Sequence, residues 1–332
     1  MATASESDVD EAEMEGEEKP ESRVGWRYTL TQLRRDATAM AGAYIIGFFG
    51  IIALVAYIDA NVLSWFGNKY WLAEQFWVNP AYSSADAPIL RPPVGITNTL
   101  YPNDPGTWNH VLGTDNRGRD VLVRLFYGTK IAMLVGIVAT GIGMVMGTIV
   151  GAIAGYYGGY VDDVLMRAVE VLYAIPFLVL VIAFMVAFGR NLMFAMVGVG
   201  IRTIPVFARL IRSEVLSVRE EDYIEAAKAA GVRDWKLIQG HIIPNSFAPV
   251  LVQATLQVGI NILVIAGLSF LGFGAQPPTP SWGQMLSDSR AYMLPAPWFS
   301  VWPGLAILLS VMGFNLLGDG LRDALDPRIQ NR

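Results

Sequence analysis

The sequence predicts an all-α membrane protein with six transmembrane helices. Charged residues make up only 16% of the 332 residues, against about 25% in ordinary globular chains, and 53% of the residues are hydrophobic. Six stretches are nearly free of Asp, Glu, Lys and Arg and are long enough to cross a bilayer. Lys and Arg are also unevenly divided between the segments that join these stretches, which indicates a fixed orientation in a membrane.

The predicted spans follow the charge-poor stretches in chain order. The first has 22 residues, which as a helix would be about 33 Å long and therefore spans the hydrocarbon core. The spans are Ala37–Ile58, Ile131–Val161, Val171–Gly189, Asn191–Leu210, a stretch within Ile242–Ser287 that ends near Phe273, and a stretch within Ala291–Gly318. Pro176 and Pro205 lack a backbone donor and are predicted bending points of the third and fourth spans.

The basic residues predict the orientation. With the N-terminus inside, the inner segments 1–36, 162–170, 209–241 and 319–332 hold 15 of the 24 Lys and Arg, whereas the outer segments hold 8. Both termini are therefore predicted to be cytoplasmic. The predicted layout is a leader (1–36), a first span (37–58), an extracytoplasmic loop (59–130), a core of five spans (131–320) and a tail (321–332).

The leader is acidic. Residues 1–21 contain nine Asp and Glu and a single base, Lys19. A segment of this kind has no apolar face to bury, so the leader is predicted to be disordered. It is not expected to be a signal peptide, because a basic start followed by an apolar segment is missing.

Several kinds of chemistry are excluded by composition. Without cysteine, the chain has no thiolate metal site and no cysteine nucleophile. Two histidines make a histidine-rich metal site improbable, so no metal and no cofactor are predicted. None of the five lysines follows a glycine, so the phosphate-binding pattern G-x-x-x-x-G-K-[ST] is absent and ATP hydrolysis of that kind is not expected here.

The second span carries a ridge of small residues. Gly143, Gly147, Gly151 and Gly155 recur every four residues, which places them on one helix face where another backbone can approach closely. Two interpretations remain open: close packing within one bundle, or a contact between subunits.

Polar residues within the spans are candidates for a solute path. Gln253, Gln257 and Asn261 share one face of the fifth span, and amides are costly toward lipid. They would either line a path or hydrogen bond between helices. Arg202, inside the fourth span, is either a functional charge or a side chain that extends toward the cytoplasm or pairs structurally.

The segment between the fourth and fifth spans predicts a helix–turn–helix (the inner loop, residues 213–245). A first helix is expected from about Ser217 to Ala230, ended by Gly231. Asp234 is expected to cap a second helix with Trp235, Ile238 and Ile242 at helical spacing, which Pro244 would limit. With its small alanine surface, the hairpin would either fit a groove on another protein or cover its own bundle.

A turn-rich polar stretch precedes the second span (the outer motif, Gly113–Asp120). Gly113, Asp115, Gly118, Arg119 and Asp120, together with Arg117, predict a small network of exposed ion pairs, each worth roughly 0–1 kcal/mol. The network would fix the loop and the start of the span, or contact substrate directly.

The remaining expectations concern the two ends of the core. Ser281 is expected to cap a short helix from Trp282. Trp282, Trp298 and Trp302 fit an aromatic belt at the outer interface. Leu317, Leu321 and Leu325 share a face of a predicted amphipathic segment at the inner interface, which Asp326-Pro327 ends.

Several motifs together resemble a known family. Glu225-Ala226-Ala227, then Gly231 and Ile243-Pro244, resemble the E-A-A loop of binding-protein-dependent ABC transporter permeases. The form His241-Ile242-Ile243-Pro244-Asn245 is similar to the dipeptide and oligopeptide branch. His110–Lys130, Leu268–Leu286 and Phe314–Arg328 resemble the C-type subunit of that branch, in the expected order.

This resemblance implies a type I ABC importer permease fold in a prokaryotic plasma membrane. It implies a non-catalytic subunit that forms half of a path for dipeptides or oligopeptides. The implied partners are a B-type permease, two ABC ATPases that dock on Glu225, Ala226, Ala227, Gly231, His241 and Pro244, and an extracytoplasmic solute-binding protein; nucleic acid is not among them. Many relatives have a Glu three residues before Leu-Ser-Phe-Leu-Gly, where this chain has Ile265, so no carboxylate role is expected there.

Three alternatives to a peptide importer each have their own sequence requirements. Related permeases with similar motifs carry nickel chelates, glutathione or oligosaccharides. An ion-driven secondary transporter would have internal repeats and paired intramembrane charges, and the sequence contains neither. An intramembrane enzyme would need paired carboxylates or an activated nucleophile within the spans, and none is present.

Overall fold

A computed structural model describes residues 26–67, 70–76, 88–103 and 105–325. Most of these residues are helical; apart from two isolated β-bridges they contain no β-structure. The α-helices are α1 (Trp26–Arg35), α2 (Ala37–Tyr57), α3 (Trp71–Phe76), α4 (Val121–Tyr157), α5 (Gly159–Ala174), α6 (Phe177–Phe188), α7 (Leu192–Arg219), α8 (Asp222–Ala229), α9 (Asp234–Leu237), α10 (Ile243–Asn245), α11 (Phe247–Phe270), α12 (Trp282–Ser289) and α13 (Trp298–Leu325). Short 3₁₀ and π turns extend α2 to Phe66 and join α9 to α10.

Five of the described helical segments are long and apolar enough to cross a membrane. Their first helices are α2, α4, α7, α11 and α13. The bent pair α5–α6 provides a sixth span if the two helices are counted as one. The predicted all-α membrane architecture is therefore confirmed. Each span matches a charge-poor stretch of the sequence, because only apolar side chains are stable against the hydrocarbon of lipid.

The boundaries of the second span differ from the prediction. α4 begins at Val121, ten residues before the predicted start at Ile131, because Asp120 caps the helix by accepting a hydrogen bond from the Val123 amide at 3.0 Å. It ends at Tyr157, because Gly158 and Gly159 follow with φ of 65° and 52°, values that glycine adopts without strain. Val161 consequently belongs to α5.

The third span is broken and does not form one helix. α5 and α6 meet at an angle of 89°. Pro176 precedes α6 and disfavours helical geometry at Ile175, whose backbone is extended at φ −70° and ψ 123°. Pro205, in contrast, lies inside the continuous helix α7, so only the first of the two predicted bending points breaks a helix.

The glycine ridge of α4 packs against α7 within the same chain. A Cβ atom at Gly143 would lie 2.6 Å from the Thr203 Cβ, and one at Gly147 would lie 2.7 Å from the Ile204 carbonyl oxygen. Gly151 and Gly155 meet the α7 backbone at Ala208 and Arg212 in the same way. The ridge is therefore occupied by close packing inside the bundle, the first of the two interpretations.

Replacing Gly147 with Val is expected to lower the stability of the permease bundle by about 1–3 kcal/mol, because the added atoms overlap the α7 backbone. The measurement is the thermal unfolding midpoint of the purified protein in mild detergent. Gly141→Val is the matched control, because a Cβ at Gly141 on the same helix meets no atom within 4 Å. Equal midpoints for the two variants would contradict the packing described.

The predicted tryptophan belt is wrong for two of its three residues. The side chains of Trp282 and Trp298 are only 2% and 6% exposed and pack in the core formed by α2, α4, α11 and α13. The Trp282 indole donates to the Leu125 carbonyl at 3.0 Å. Trp302 is half-buried against the same core. The rings of Trp282 and Trp298 stabilise the bundle instead of marking an interface, because their volume fills space between helices.

The two ends of the chain differ from the predicted leader and tail. Within the predicted disordered leader, Trp26–Arg35 forms α1, and Asp36 caps α2 by accepting from the Thr38 amide at 2.8 Å. Hydrogen bonds from Thr38 lower the pKa of the Asp36 carboxyl. The acidic residues 1–25 and the Asp326-Pro327 ending lie outside the described residues. Leu317, Leu321 and Leu325 continue the last span and do not form a separate interfacial helix.

Candidate functional site

The inner loop forms a helix–turn–helix, but its first helix starts later than predicted. α7 continues through Ser217 to Arg219, and a turn at Glu220 and Glu221 separates it from α8 (Asp222–Ala229). Ile224 is fully buried against the bundle core. One face of α8 therefore rests on the chain's own helices, as the second interpretation of the hairpin requires.

Gly231 ends α8 in a left-handed conformation with φ 79°. Its amide donates to the Lys228 carbonyl at 2.9 Å, and the Val232 amide donates to the Ala227 carbonyl at 3.2 Å. This pair of bonds is the Schellman arrangement, which satisfies carbonyls at a helix end and favours glycine. A Cβ at Gly231 would meet no atom within 4 Å, so backbone geometry and not packing requires glycine here.

Asp234 does not cap the second helix as predicted. Arg233 occupies the cap position without a side-chain hydrogen bond, and the Asp234 carboxylate accepts a 2.6 Å hydrogen bond from the Tyr156 hydroxyl at the inner end of α4. Ile238 and Ile242 are buried, whereas Trp235 is 60% exposed. The helical path continues past Pro244, because proline is tolerated in the first turn of the short helix α10.

Three further contacts fix the inner loop to the bundle, and a fourth lies within the loop itself. The Arg219 guanidinium donates to the carbonyls of Gly155 and Tyr156 at 3.2 and 3.1 Å, and the Lys228 ammonium lies 5.3 Å from the Tyr156 ring centroid. The Asn245 amide donates to the His241 carbonyl at 2.6 Å. The inner loop is thus attached to α4 and α7, the helices that the glycine ridge holds together.

The other face of the inner loop is open. Its exposed residues include the motif positions Glu225, Ala226, Gly231, His241 and Pro244, and also Ala229, Ala230, Tyr223 and Trp235, while Ala227 is half-buried. The outward face of α8 combines the small side chains of Ala226 and Ala229 with the polar side chains of Glu225 and Lys228. A partner helix or groove can therefore approach its backbone closely at the two alanines.

The three amides of the fifth span separate into two environments. Gln257 and Asn261 are buried, and they form a chain in which Gln257 donates to Asn261 at 3.1 Å and Asn261 donates to Thr140 of α4 at 3.0 Å. Their recorded contacts are hydrogen bonds within and between helices of this chain. Gln253 instead lines a pocket of about 360 Å³ with Leu210, Val252, Leu256 and Arg322.

Arg202 and Arg209 contact the broken span. The Arg202 guanidinium lies over the Phe177 ring, 5.0 Å from its centroid, and that of Arg209 lies 4.2 Å from the Tyr173 centroid. Both contacts have the geometry of cation–π interactions. They join α7 to the two sides of the bend between α5 and α6.

The outer motif is buried, which corrects the prediction of exposed ion pairs. Asp115, Arg119 and Asp120 are 0%, 3% and 4% exposed, and only Arg117 of the predicted network is exposed. The Asp115 carboxylate accepts from the amides of Arg117 and Arg119 at 2.8 and 2.9 Å and from the Arg119 side chain at 2.6 Å. Asp120 joins the His110 ring at 2.9 Å.

Three residues that sequence reasoning missed complete the network. Arg124, one turn into α4, is 1% exposed and lies 3.7 Å from Asp115. Arg119 also contacts Asp288 at 3.3 Å, and Asp288 accepts from Gln284 at 3.0 Å. Because Asp288 lies on α12, 169 residues from Arg119, no local pattern identifies the pair. The motif therefore connects the loop before α4 to the helix after α11.

The glycines of the outer motif have separate structural requirements. Gly113 and Gly118 have φ of 81° and 73°, and a Cβ at Gly113 would lie 2.8 Å from the Trp298 indole nitrogen. Ser281 caps α12 as predicted, by accepting from the Gln284 amide at 3.3 Å. Among the described residues, no three His, Asp or Glu side chains are arranged to bind a metal ion.

Comparison with known proteins identifies the family. The family described as "Binding-protein-dependent transport system inner membrane component" matches residues 147–331, which include the inner loop. The chain belongs to this family. It is accordingly a permease subunit of an ABC importer and a multi-pass protein of a prokaryotic plasma membrane.

The permease is similar to two groups of curated relatives. It is 40% identical over 306 residues to the dipeptide transport system permease protein DppC of Alkalihalophilus pseudofirmus, covering 92% of this chain and 91% of that one. It is 45% identical over 222 residues to the glutathione transport system permease protein GsiD of Pectobacterium atrosepticum, covering 67% and 74%. The residues that suggested the peptide branch thus agree with the relatives.

Solved structures support the fold. An inward-facing structure of the MetNI methionine ABC transporter aligns with a TM-score of 0.52, covering 62% of the permease and 98% of that chain. At 19% identity, this likeness shows the architecture alone. The type I permease fold predicted by the resemblance is confirmed.

Proposed function

We propose that the permease forms half of the translocation path of an ATP-driven importer for dipeptides and short oligopeptides. Its proposed partners are a B-type permease, two ABC ATPases and an extracytoplasmic solute-binding protein. The similarity to a dipeptide permease over nine-tenths of the chain supports this substrate class. Both termini and the inner loop are assigned to the cytoplasm, in agreement with the excess of basic residues in the inner segments.

The construction of the inner loop is the observation that carries the proposal. One face of α8 is attached to α4 and α7, and the other face is open and carries two small alanines among charged side chains. An ATPase docked on Glu225, Ala226, Ala227 and Gly231, with His241 and Pro244 nearby, would move α8. Tyr156 and Arg219 would transmit that motion to α4 and α7.

The remaining candidate residues receive separate roles in this mechanism. Gln253 is assigned to the path, because its amide lies in an open pocket at the side of the bundle that carries the inner loop. Gln257 and Asn261 hold α11 against α4 next to that path. Gly113, Asp115, Gly118, Arg119 and Asp120 keep the start of α4 in a fixed position on the outer side.

ATP hydrolysis is assigned to the partner subunits. None of the chain's lysines lies in a phosphate-binding glycine-rich loop. The permease supplies the path and the mechanical connection, and energy enters through the docked ATPases. Because the path and the ATP hydrolysis are on different subunits, uptake requires the permease to assemble with the ATPases.

Co-purification followed by uptake tests the proposal. We expect the tagged permease from gently solubilised native membranes to bring with it a second permease and proteins with phosphate-binding loops. The reconstituted complex with its binding protein is expected to take up labelled dipeptide in an ATP-dependent manner. Recovery of the permease alone, still active in transport, would contradict the subunit assignment.

Glutathione is the second candidate substrate, because the permease is 45% identical to a glutathione permease over 222 residues. The same reconstituted complex distinguishes the two. Saturation of the binding protein by glutathione and not by dipeptides would replace the first candidate with the second. Nickel chelates and oligosaccharides serve as further test ligands.

A further inference from the structure

Arg202, within a membrane-spanning helix, has no carboxylate partner among the residues that the structure describes. Arg202 lies about 15 Å along α7 from Leu192, at 1.5 Å per residue, which is close to the middle of a hydrocarbon core about 30 Å thick. Within residues 26–67, 70–76, 88–103 and 105–325, no carboxylate oxygen is recorded within 4.0 Å of it. Its recorded contact is the ring of Phe177.

The broken span bends beside this guanidinium. α6 has 12 residues and is therefore about 18 Å long, too short to cross the core alone. At its inner end, next to Phe177, the chain turns away by 89° into α5. Arg202 is only half-buried at this point. A charged side chain at such a depth faces protein or a water-filled cavity and not lipid.

Arg209, two turns further along α7, has a different charge environment. It lines a pocket of about 490 Å³ that contains Asp162, Asp163 and Glu170 together with Arg167 and Arg212. Three carboxylates therefore balance three guanidiniums in that pocket. Arg202 does not line this pocket and therefore does not share its carboxylates.

We propose that Arg202 binds the C-terminal carboxylate of the peptide as it crosses the membrane. The inference rests on the proposed peptide substrate and deepens it, because it makes Arg202 a determinant of specificity for peptides with a free carboxyl group. A guanidinium is suited to this role, since its planar set of N–H donors matches both oxygens of a carboxylate. The Phe177 ring, 5.0 Å from the guanidinium carbon, helps to hold the guanidinium in position through a cation–π contact.

The test compares a dipeptide with the same dipeptide amide. The assembled importer is reconstituted in liposomes with its binding protein, whose saturation by each peptide is first established by titration. Arg202→Gln is expected to lower uptake of the free acid about tenfold, the size expected for one partly solvated charge-assisted contact. Uptake of the amide is expected to stay unchanged, and Arg202→Lys to give an intermediate acid-to-amide ratio.

The control is Arg209→Gln, which removes the neighbouring cation–π arginine from a charge-balanced pocket. It is expected to change acid and amide uptake by the same factor. The acid-to-amide ratio does not depend on how much protein assembles, so a poorly expressed variant still gives an answer. The acid-to-amide ratio of binding is measured separately, without the binding protein. This uses equilibrium dialysis of both labelled peptides against the vanadate-trapped complex.

Two results would overturn the inference. An equal loss of acid and amide uptake in Arg202→Gln would mean that Arg202 is structural or pairs with a carboxylate of the second permease. Unchanged uptake of both peptides would mean that it contacts neither. If the unmodified importer takes up neither peptide, the proposed substrate class fails instead, and the two failures are therefore distinguishable.

Discussion

Uptake is expected to be abolished when Gly231 is replaced by Asp, although the protein should still reach the membrane. The left-handed backbone at Gly231, with φ 79°, costs a non-glycine residue about 1–2 kcal/mol, which a bundle of this size tolerates. No atom lies within 4 Å of the new Cβ, so the fold of the chain is not obstructed. The side chain instead projects from the open face of the inner loop and adds a negative charge where the ATPase is proposed to dock.

The measurement pairs uptake with the amount of ATPase that co-purifies with the variant. Both are expected to be lost, while membrane levels of the permease stay near normal. Gly231→Ala is the matched control, because it introduces the same backbone strain without charge or length, and it should retain most of the uptake. Full uptake by Gly231→Asp at normal expression would refute the docking role of this turn.

Replacing Asp115 with Asn is expected to lower the stability of the permease by about 3–5 kcal/mol, the usual cost of removing one partner from a buried ion pair. Asp115 is fully buried and bonds two backbone amides and the Arg119 side chain. An asparagine still accepts the amide bonds, but it presents an N–H group to Arg119 and Arg124. Arg124 and Arg119 then lose the negative charge nearest to them, and Arg119 keeps only its contact with Asp288.

Thermal unfolding in mild detergent measures this effect, and the level of protein in native membranes provides a second readout. Arg117→Gln is the control, since its side chain is exposed although its amide belongs to the same turn. It should unfold at the temperature of the unmodified protein. If Asp115→Asn did the same, the outer motif would not be the buried network described here.

The positions of the spans were predictable because the preference of apolar side chains for lipid acts locally along the chain. The residues at which the spans begin and end were less predictable. A search for charge-free stretches began the second span at Ile131, whereas α4 begins at Val121. The ten residues in between contain Arg124 and Lys130, and Arg124 is accepted in a buried helix because Asp115 lies 3.7 Å away.

In the inner loop as well, features with local causes were predictable and features with distant causes were not. The helix end at Gly231 was predictable, because the Schellman arrangement involves residues only a few positions apart. The role of Asp234 was not, because its partner Tyr156 lies 78 residues earlier in the chain. A capping role was a reasonable local expectation for an aspartate at that position, and a contact between distant helices replaced it.

The sequence by itself determined that this protein crosses a membrane in several helices, that it carries a helix–turn–helix between its fourth and fifth spans, and which family it resembles. These properties depend on composition, periodicity and short motifs. Tertiary structure alone decided that the glycine ridge packs on α7, that the outer motif is buried, and that Arg202 lies beside a broken span without a carboxylate partner among the described residues. The physical reason is that burial and charge compensation depend on residues that meet only after folding, such as Arg119 and Asp288.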